Sequence, residues 1–99
     1  MRPKRLSEDE IREALGGLNG WTREGDAIRK QFTFAGFPDA IAFATRLAFD
    51  AEAADHHPDL AINYKRVTLT YSTHSEGGLT ANDIEGAKAA DRIAQRLAS

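Results

Sequence analysis

Apolar and polar residues alternate with the two-residue period of a β-strand in two separate parts of the chain. In the first part, residues 21–23 and 27–34 flank Glu24-Gly25-Asp26, a composition typical of a turn, and together they predict a β-hairpin. In the second part, residues 60–64 and 67–71 alternate on either side of a short polar connection and predict another hairpin. Because one side of these strands is apolar, we expect one face of the sheet to be buried.

Three other segments carry apolar residues at intervals of three and four, which predicts helices with one buried face. The first begins at Ser7, which forms a capping-box pattern with the glutamate three residues later, and it weakens at Gly16-Gly17. The second begins with Pro38, a residue that the first helical turn tolerates, and ends before Pro58. The third follows Thr80, a candidate N-cap, and runs toward the end of the chain.

The predicted order of elements is α-β-β-α-β-β-α. Hairpins connect the strands in pairs and helices separate the pairs, which predicts an α+β fold with a four-stranded antiparallel sheet and three helices on one face. With 99 residues there is room for one core, so we expect a single domain, 1–99. An open sheet face and an Ala-rich last helix are surfaces that a second copy of the chain often covers, so we expect a homodimer or homotetramer.

The charges of the chain nearly cancel, with 13 Lys and Arg against 15 Asp and Glu and a formal net charge of −2. Such a balance produces no field that would concentrate nucleic acid or an anionic membrane, so we expect neither as a partner. The basic residues at the start are followed by an acidic run where a signal peptide would be apolar, and no apolar stretch approaches the roughly 20 residues that span a bilayer. We therefore expect a cytoplasmic protein.

The sequence lacks the motifs of several common chemistries. Without cysteine the chain can form neither disulfides nor thiolate metal sites. It has no Gly-x-Ser-x-Gly elbow, no phosphate loop and no Gly-x-Gly-x-x-Gly fingerprint. Acyl transfer, nucleotide use and dinucleotide redox chemistry are therefore unsupported, and we expect no cofactor.

The three histidines, His56, His57 and His74, lie within nineteen positions, each at the end of a predicted element. Side chains at element ends can converge on a ligand without disrupting the core. Glu52 precedes His56 by four residues, so on a continuing helix its carboxylate could orient that imidazole or raise its basicity. Since histidine gives and takes a proton near neutral pH, this group suits an elimination that needs an acid and a base.

A spaced set of residues extends from the end of the second predicted helix to the start of the third. It reads Glu52-Ala-Ala-Asp-His56-His57-Pro58, five further residues, Tyr64, nine further residues, His74 and finally Asp83. This pattern resembles the signature of the pterin-4a-carbinolamine dehydratases, as do Gly20-Trp21, Ser72-Thr73-His74 and Gly78-Leu79-Thr80. The resemblance implies a lyase that dehydrates 4a-hydroxy-tetrahydropterin, such as 4a-hydroxytetrahydrobiopterin, to quinonoid dihydropterin. It also implies that neither a metal nor an organic cofactor is used.

The family pattern implies a role for each matched residue. It would make the three histidines catalytic, with His56 and His74 in acid-base work and His57 mainly holding the substrate. Glu52 would support His56, and Asp83 could add support. The implied substrate contacts are Glu52, His56, His57, Pro58, Thr73, His74, Ser75 and Glu76. The implied partners are a pterin substrate and an aromatic amino-acid hydroxylase, whose turnover leaves the carbinolamine to be recycled.

Several of these residues also have another interpretation. Three imidazoles can bind zinc, but neighbours such as His56 and His57 point in different directions in an extended chain, so we expect no metal site. Asp83 lies three residues after Thr80, where it completes a capping box, and we favour this cap over a role in the site. Pro58 can simply end the helix before it.

For Glu52 we favour an active-site role over that of a solvated residue in the last helical turn. Trp21 and Tyr64 are interpreted as core or interface aromatics rather than as groups that stack on a pterin. Two functions other than the enzyme stay open. Animal members of this family also act as dimerisation cofactors for a homeodomain transcription factor, and the same site could serve a pterin-binding or molybdopterin-related accessory protein.

Overall fold

The computed structural model describes residues 3–98, and residues 1, 2 and 99 lie outside the described part. The helices are α1 (Glu8–Gly16), α2 (Phe37–Ala54) and α3 (Ala81–Ala98), and the strands are β1 (Thr22–Glu24), β2 (Ala27–Thr33), β3 (Asp59–Asn63) and β4 (Arg66–Tyr71). A short 3-10 turn at His74–Glu76 follows β4. The predicted α+β class and the predicted order α-β-β-α-β-β-α are confirmed. No helix in residues 3–98 is both long and apolar enough to cross a membrane.

The sheet is antiparallel and has the order β1-β2-β4-β3, so the two predicted hairpins join through β2 and β4. Ile28 of β2 lies opposite Tyr71 of β4, and Asp59 of β3 lies opposite Thr70 on the other side of β4. Every second residue of β4 is buried, as the alternation predicts. The start of β3 and the end of β4 therefore meet at one end of the sheet.

The helices cover the apolar face of the sheet. The buried residues that they contribute include Ala40, Phe43, Leu47 and Ala51 from α2, and Ile84, Ala87, Ala90 and Ile93 from α3. Trp21 is 5% exposed and belongs to the same cluster, which confirms its assignment to the core. Tyr64 is 62% exposed, so it does not belong to the core, and its interpretation as an interface aromatic stays a prediction. It lies in the turn between β3 and β4 with a φ of 55°, outside the packed face.

One inward position of β2 carries a charge instead of an apolar side chain. Nζ of Lys30 lies 2.8 Å from Oδ1 of Asp91 on α3 and 4.7 Å from the centre of the Phe32 ring. Nε1 of Trp21 donates a hydrogen bond to the same carboxylate at 3.1 Å. The half-buried ammonium is thus paired with a carboxylate and lies over an aromatic ring, which explains how this face tolerates a lysine.

Candidate active site

The position of His56 is determined by the way α2 ends. Asp55 adopts the left-handed conformation, with φ 53° and ψ 41°, and its N–H donates to the carbonyl of Glu52 at 3.2 Å. The N–H of His56 donates to the carbonyl of Ala51 at 3.1 Å, which completes a Schellman motif. The imidazole of His56 therefore extends from a fixed backbone just beyond the helix, at the end of the sheet where β3 begins.

His56 pairs with a carboxylate on α3. Its Nε2 lies 2.6 Å from Oδ1 of Asp83, whose side chain is 0% exposed, whereas the imidazole remains 12% exposed. An ionised carboxylate can only accept a hydrogen bond, so it favours the tautomer of His56 that carries its hydrogen on Nε2. Within residues 3–98 no hydrogen bond occupies the other ring nitrogen, Nδ1, which is left available for proton exchange.

The second oxygen of Asp83 holds the start of α3. Oδ2 accepts hydrogen bonds from Oγ1 of Thr73 at 2.8 Å and from the backbone N–H of Thr80 at 2.9 Å. Oγ1 of Thr80 accepts from the N–H of Asn82 at 3.2 Å, so Thr80 is the N-cap, and Asp83 makes its half of the predicted capping box, whereas the hydroxyl of Thr80 bonds the second helical residue rather than the third. The cap and the contact with His56 are therefore compatible, because one carboxylate makes both. We call this group of His56, Thr73, Thr80 and Asp83 the buried polar cluster.

His57 is held by a different carboxylate, at the surface. Its Nε2 lies 2.8 Å from Oε1 of Glu52, and the two side chains are 57% and 81% exposed. The predicted support of His56 by Glu52 is therefore wrong. That prediction assumed a helix that continues through residue 56, whereas the left-handed residue Asp55 ends α2 earlier and turns His56 away from the face that carries Glu52.

His74 opens the 3-10 turn that follows β4. Both His74 and Ser75 are exposed, and the hydroxyl of Ser75 donates to Glu76 at 3.3 Å. Backbone hydrogen bonds between Thr73 and Gly78 close this loop. His74 thus lies at the end of the sheet where the other two histidines are found, but no hydrogen bond among the described residues joins it to them. Nor do three or more His, Asp or Glu side chains of the described chain form a group that could hold a metal ion.

A cavity of about 410 Å³ lies between the second half of α2 and the first half of α3, and we call it the interhelical cavity. Its walls include His56, Tyr71, Asp50 and Gly86. The rings of His56 and Tyr71 stack with centroids 5.9 Å apart and an angle of 15° between their planes. Burial, followed by the charges of Asp83 and Asp50, raises the pKa of Tyr71 to about 12, so its hydroxyl stays protonated at neutral pH.

A family model described as pterin 4 alpha carbinolamine dehydratase matches residues 4–93. The chain belongs to this family. The match runs from before α1 into α3, so it includes all three histidines, the buried polar cluster and the interhelical cavity. The family resemblance of the spaced histidine motif is therefore confirmed.

Relatives and solved structures agree with membership of the dehydratase family. A relative from Roseiflexus sp. (strain RS-1) is 54% identical over 90% of this chain and 96% of its own length. Another, from Mycobacteroides abscessus, is 50% identical over 87% of this chain and 92% of its own. Both are named provisionally as pterin-4-alpha-carbinolamine dehydratases.

Two solved structures share the fold. The crystal structure of a transcriptional coactivator/pterin dehydratase from Brucella melitensis has a TM-score of 0.89 and 42% identity, and covers 92% of this chain and 99% of that one. A pterin dehydratase-like protein described as a RuBisCO assembly factor in the alpha-carboxysome has a TM-score of 0.62 and 21% identity, covering 75% of this chain and 86% of its own. The second structure shows similarity of fold alone.

The structure brings part of the predicted site into contact. His56, Thr73 and Asp83 meet in the buried polar cluster, while Glu52 pairs with His57 outside it. The other predicted contacts lie on the adjoining segments, namely Pro58, His74, Ser75 and Glu76. Their roles toward a substrate stay predictions.

Sequence reasoning missed two residues of the interhelical cavity. Alternation along β4 assigns Tyr71 to the inner face, and helical spacing places Asp50 at the edge of the apolar face of α2, seven residues after Phe43. Neither pattern indicates that the two side chains line the same space as His56. The one hint is Gly86 inside a helical pattern, since an interior glycine often marks a close approach.

Proposed function

We propose that this protein is a hydro-lyase that dehydrates 4a-hydroxy-tetrahydropterins, such as 4a-hydroxytetrahydrobiopterin, to quinonoid dihydropterins. The observation that carries the proposal is the pairing of His56 with the enclosed carboxylate of Asp83, beside a cavity of ligand size. An imidazole backed by a buried carboxylate, with its other nitrogen available, is suited to act as a general base. Membership of the family supports the class of substrate.

The reaction is an elimination in which protons are exchanged and no oxidant or reductant is consumed. The proton on N5 passes to a base, and the N5–H electron pair forms the new double bond between N5 and C4a. The bond between C4a and oxygen breaks as that oxygen receives a proton and leaves as water. The enzyme must therefore supply one base and one acid. The reaction balances without a nucleophile or a redox cofactor.

We assign the base to His56 and the acid to His74. Nδ1 of His56 would accept the proton from N5, and the carboxylate of Asp83 at Nε2 would stabilise the imidazolium that forms. His74, at the same end of the sheet and open to solvent, would deliver a proton to the departing oxygen. Such positioned groups contribute about 10²- to 10⁴-fold each.

The exposed pair of His57 and Glu52 is assigned to holding the substrate. Both side chains face solvent beside the segment that carries His56, where they could hydrogen-bond the polar edge of a pterin. Pro58 and residues 73–76 would complete that edge from the two sides of the sheet end. In this assignment the histidine that acts as the base is the one paired with the buried carboxylate.

Stopped-flow absorbance tests the proposed activity. A hydroxylase generates the 4a-carbinolamine in situ, and its decay is followed in chelator-treated buffer with and without the protein. We expect acceleration by the protein and a loss of about 10²-fold or more in His56→Ala and in His74→Ala. Arg12→Ala, on the exposed side of α1 at 77% exposure, serves as a control that should keep full activity. A wild-type protein that leaves the decay rate unchanged would refute the proposal.

We further assign the protein to pterin recycling in the cytoplasm, with an aromatic amino-acid hydroxylase as the source of its substrate. The carbinolamine is the product that such a hydroxylase releases, so the two activities should be coupled. Addition of this protein to a hydroxylase assay with limiting pterin should raise sustained turnover, and His56→Ala should not. Equal effects of both proteins would contradict the recycling role.

We propose that a second copy of the chain covers the β3 edge of the sheet, in a homodimer or homotetramer. Leu60 and Ile62 lie opposite Leu69 and Val67 on the helical face of the sheet, yet they are 40% and 39% exposed. The helices leave this edge uncovered, and apolar surface of this kind favours association. Light scattering should give a mass of two or four chains, reduced to one chain in Leu60→Arg. A monomeric wild-type protein would rule out this assembly.

The same exposed apolar edge is the observation that favours a second candidate function, the binding of a protein partner. The neighbour from Brucella melitensis is described as both a transcriptional coactivator and a pterin dehydratase. Binding of a partner on this edge would be lost in Leu60→Arg and kept in His56→Ala. Dehydration should show the reverse, with activity kept in Leu60→Arg and lost in His56→Ala. Tight pterin binding by a protein that never dehydrates the carbinolamine would instead favour a pterin-binding accessory role.

A further inference from the structure

The hydroxyl of Tyr71 is an unused polar group at the wall of the interhelical cavity. Its side chain is 1% exposed, lines that cavity and makes ring contacts with Trp21 and His56, but its hydroxyl has no hydrogen bond within residues 3–98. Every fully enclosed polar side-chain atom of these residues has a partner, so the unpaired hydroxyl of Tyr71 is not fully enclosed, and the interhelical cavity is the space that this residue lines. Buried tyrosine hydroxyls usually find a partner, so a free hydroxyl on a residue that lines a cavity is a candidate contact for a ligand.

Gly86 on α3 provides the space that the Tyr71 ring occupies. A Cβ atom at position 86 would lie 2.5 Å from Cε1 and 2.7 Å from Cζ of the ring. Any other residue would therefore displace the phenol from the wall of the cavity. Glycine weakens the interior of a helix, and the position of the phenol explains its presence here.

The remaining polar groups of the interhelical cavity favour a neutral, hydroxylated ligand. Asp50 and Glu85 contribute two carboxylates and Arg92 contributes one guanidinium, while Lys88, outside the lining, lies 3.4 Å from Glu85, so no excess positive charge is left to attract an anion. Hydroxyl groups can donate to the carboxylates and accept from Tyr71, whereas a carboxylate or phosphate on the ligand would be repelled.

The geometry points to the interhelical cavity as the pocket for a hydroxylated side chain at C6 of the pterin, with Tyr71 as the residue that selects it. This inference rests on the proposed function, in which His56 acts at N5. In a pterin, C6 is bonded directly to N5, so a substituent on C6 leaves the ring beside the group that removes the N5 proton. His56 forms part of the wall of the interhelical cavity, and the substituent therefore enters between α2 and α3.

Three stable pterins that share one ring and differ at C6 test this pocket by fluorescence titration. Biopterin carries a dihydroxypropyl group, 6-methylpterin carries an apolar group, and 6-carboxypterin carries an anion. We expect biopterin to bind most tightly and 6-carboxypterin most weakly. Tyr71→Phe removes the hydroxyl and keeps the ring. This variant should weaken the binding of biopterin about three- to tenfold, the effect of one lost hydrogen bond, and leave the binding of 6-methylpterin unchanged.

Two further variants separate the pocket from general damage to the fold. Tyr64→Phe makes the same chemical change at an exposed tyrosine outside the cavity and should alter neither affinity. Ala89→Leu fills the cavity from α3 without changing a polar group and should weaken biopterin more than 6-methylpterin. Equal affinities of the wild type for biopterin and 6-methylpterin would overturn the proposed pocket. An equal loss of affinity for both ligands in Tyr71→Phe would also overturn it.

Turnover distinguishes failure of the pocket from failure of the proposed function. The wild type and Tyr71→Phe are supplied with the carbinolamines of tetrahydrobiopterin and of 6-methyl-tetrahydropterin. We expect the preference in kcat/KM for the hydroxylated substrate to fall about three- to tenfold in the variant. Dehydration of both substrates with an unchanged preference would overturn the pocket and leave the dehydratase standing. Binding of biopterin through Tyr71 without dehydration of either substrate would support the pocket and overturn the proposed function.

Discussion

Nε2 of His56 and Oδ1 of Asp83 lie 2.6 Å apart, although 27 positions separate the two residues in the chain. The contact joins the end of α2 to the first turn of α3. Because the other oxygen of Asp83 caps α3, one carboxylate both fixes a helix start and orients an imidazole. Changes at this residue should therefore affect stability and chemistry together, and the two effects can be separated by the choice of substitution.

Asp83→Asn should abolish most of the activity while preserving the fold. The amide oxygen can still accept from Thr80, but the amide NH₂ then faces His56 and demands the tautomer with hydrogen on Nδ1. That nitrogen could no longer accept the N5 proton. We expect kcat to fall about 10²- to 10⁴-fold, as found when the carboxylate of a catalytic triad becomes an amide, with a stability loss of about 1–2 kcal/mol.

Binding measurements show whether Asp83 acts through His56 or only through the fold. The affinity of Asp83→Asn for biopterin should stay within about threefold of the wild type, since the change affects proton exchange rather than contact with the ligand. Thr80→Ser, which retains the hydroxyl of the cap, should keep both activity and stability. A kcat in Asp83→Asn close to the wild-type value would reduce Asp83 to a helix cap.

Glu52→Gln provides the contrasting case, a histidine-carboxylate pair at the surface. Glu52 and His57 are mostly exposed, so solvent screens their interaction and the loss of charge should change the free energy of unfolding by less than about 0.5 kcal/mol. If His57 holds the substrate, KM should rise modestly and kcat should stay within about threefold of the wild type. Stopped-flow assays and urea unfolding measure the two effects. A kcat loss as large as that of Asp83→Asn would mean that the roles of the two histidines are reversed.

Much of the fold could be predicted because each element has a clear period. Strand β4 alternates with a period of two, and α3 buries Ile84, Ala87 and Ala90 at helical spacing. The cap at Ser7 was also predictable, since a capping box is a local pattern in which each partner bonds the other's backbone. These features depend on residues that are close together in the chain.

The contacts of the candidate site depend on features that local patterns do not carry. The pairing of Glu52 with His56 failed because Asp55 is left-handed, a conformation that aspartate adopts without a strong sequence signal. The position of Tyr71 in the cavity wall could not be predicted because its ring fits only where Gly86, on another element, leaves room for it. Spacing identified the histidines, and tertiary structure determined the partner of each.

Gly86→Ala should destabilise the protein even though alanine is the better helix former. The new Cβ would lie 2.5 Å from a carbon of the buried Tyr71 ring, and such overpacking typically costs more than the helix gains. We expect a net loss of about 1–2 kcal/mol by urea unfolding. Gly16→Ala, at a helical glycine with open space around it, should be neutral or stabilising by up to about 1 kcal/mol.

A double-mutant cycle can assign the effect of Gly86→Ala to the phenol ring. In a Tyr71→Leu background the ring carbons are absent, so adding Gly86→Ala should be neutral or stabilising there. The difference between the two backgrounds measures the coupling of the two positions. The same loss of stability in the wild-type and Tyr71→Leu backgrounds would show that Gly86 is needed by the helix or by neighbours other than Tyr71.

Ionisation of Tyr71 should link stability to alkaline pH. Burial, followed by the charges of Asp83 and Asp50, raises its pKa from 10.0 to about 12. Below the unfolded value the phenol is neutral in both states and its contribution is complete. Between about pH 10 and 12 the unfolded chain releases the proton first, so stability should fall by about 2–3 kcal/mol across that window. Urea unfolding of the wild type and of Tyr71→Phe from pH 8 to 11.5 measures this, because the other titrating groups are common to both. Since Tyr71→Phe lacks the ionisable hydroxyl, it should lose less stability than the wild type as the pH rises. Parallel curves of stability against pH for the two proteins would contradict the raised pKa of Tyr71.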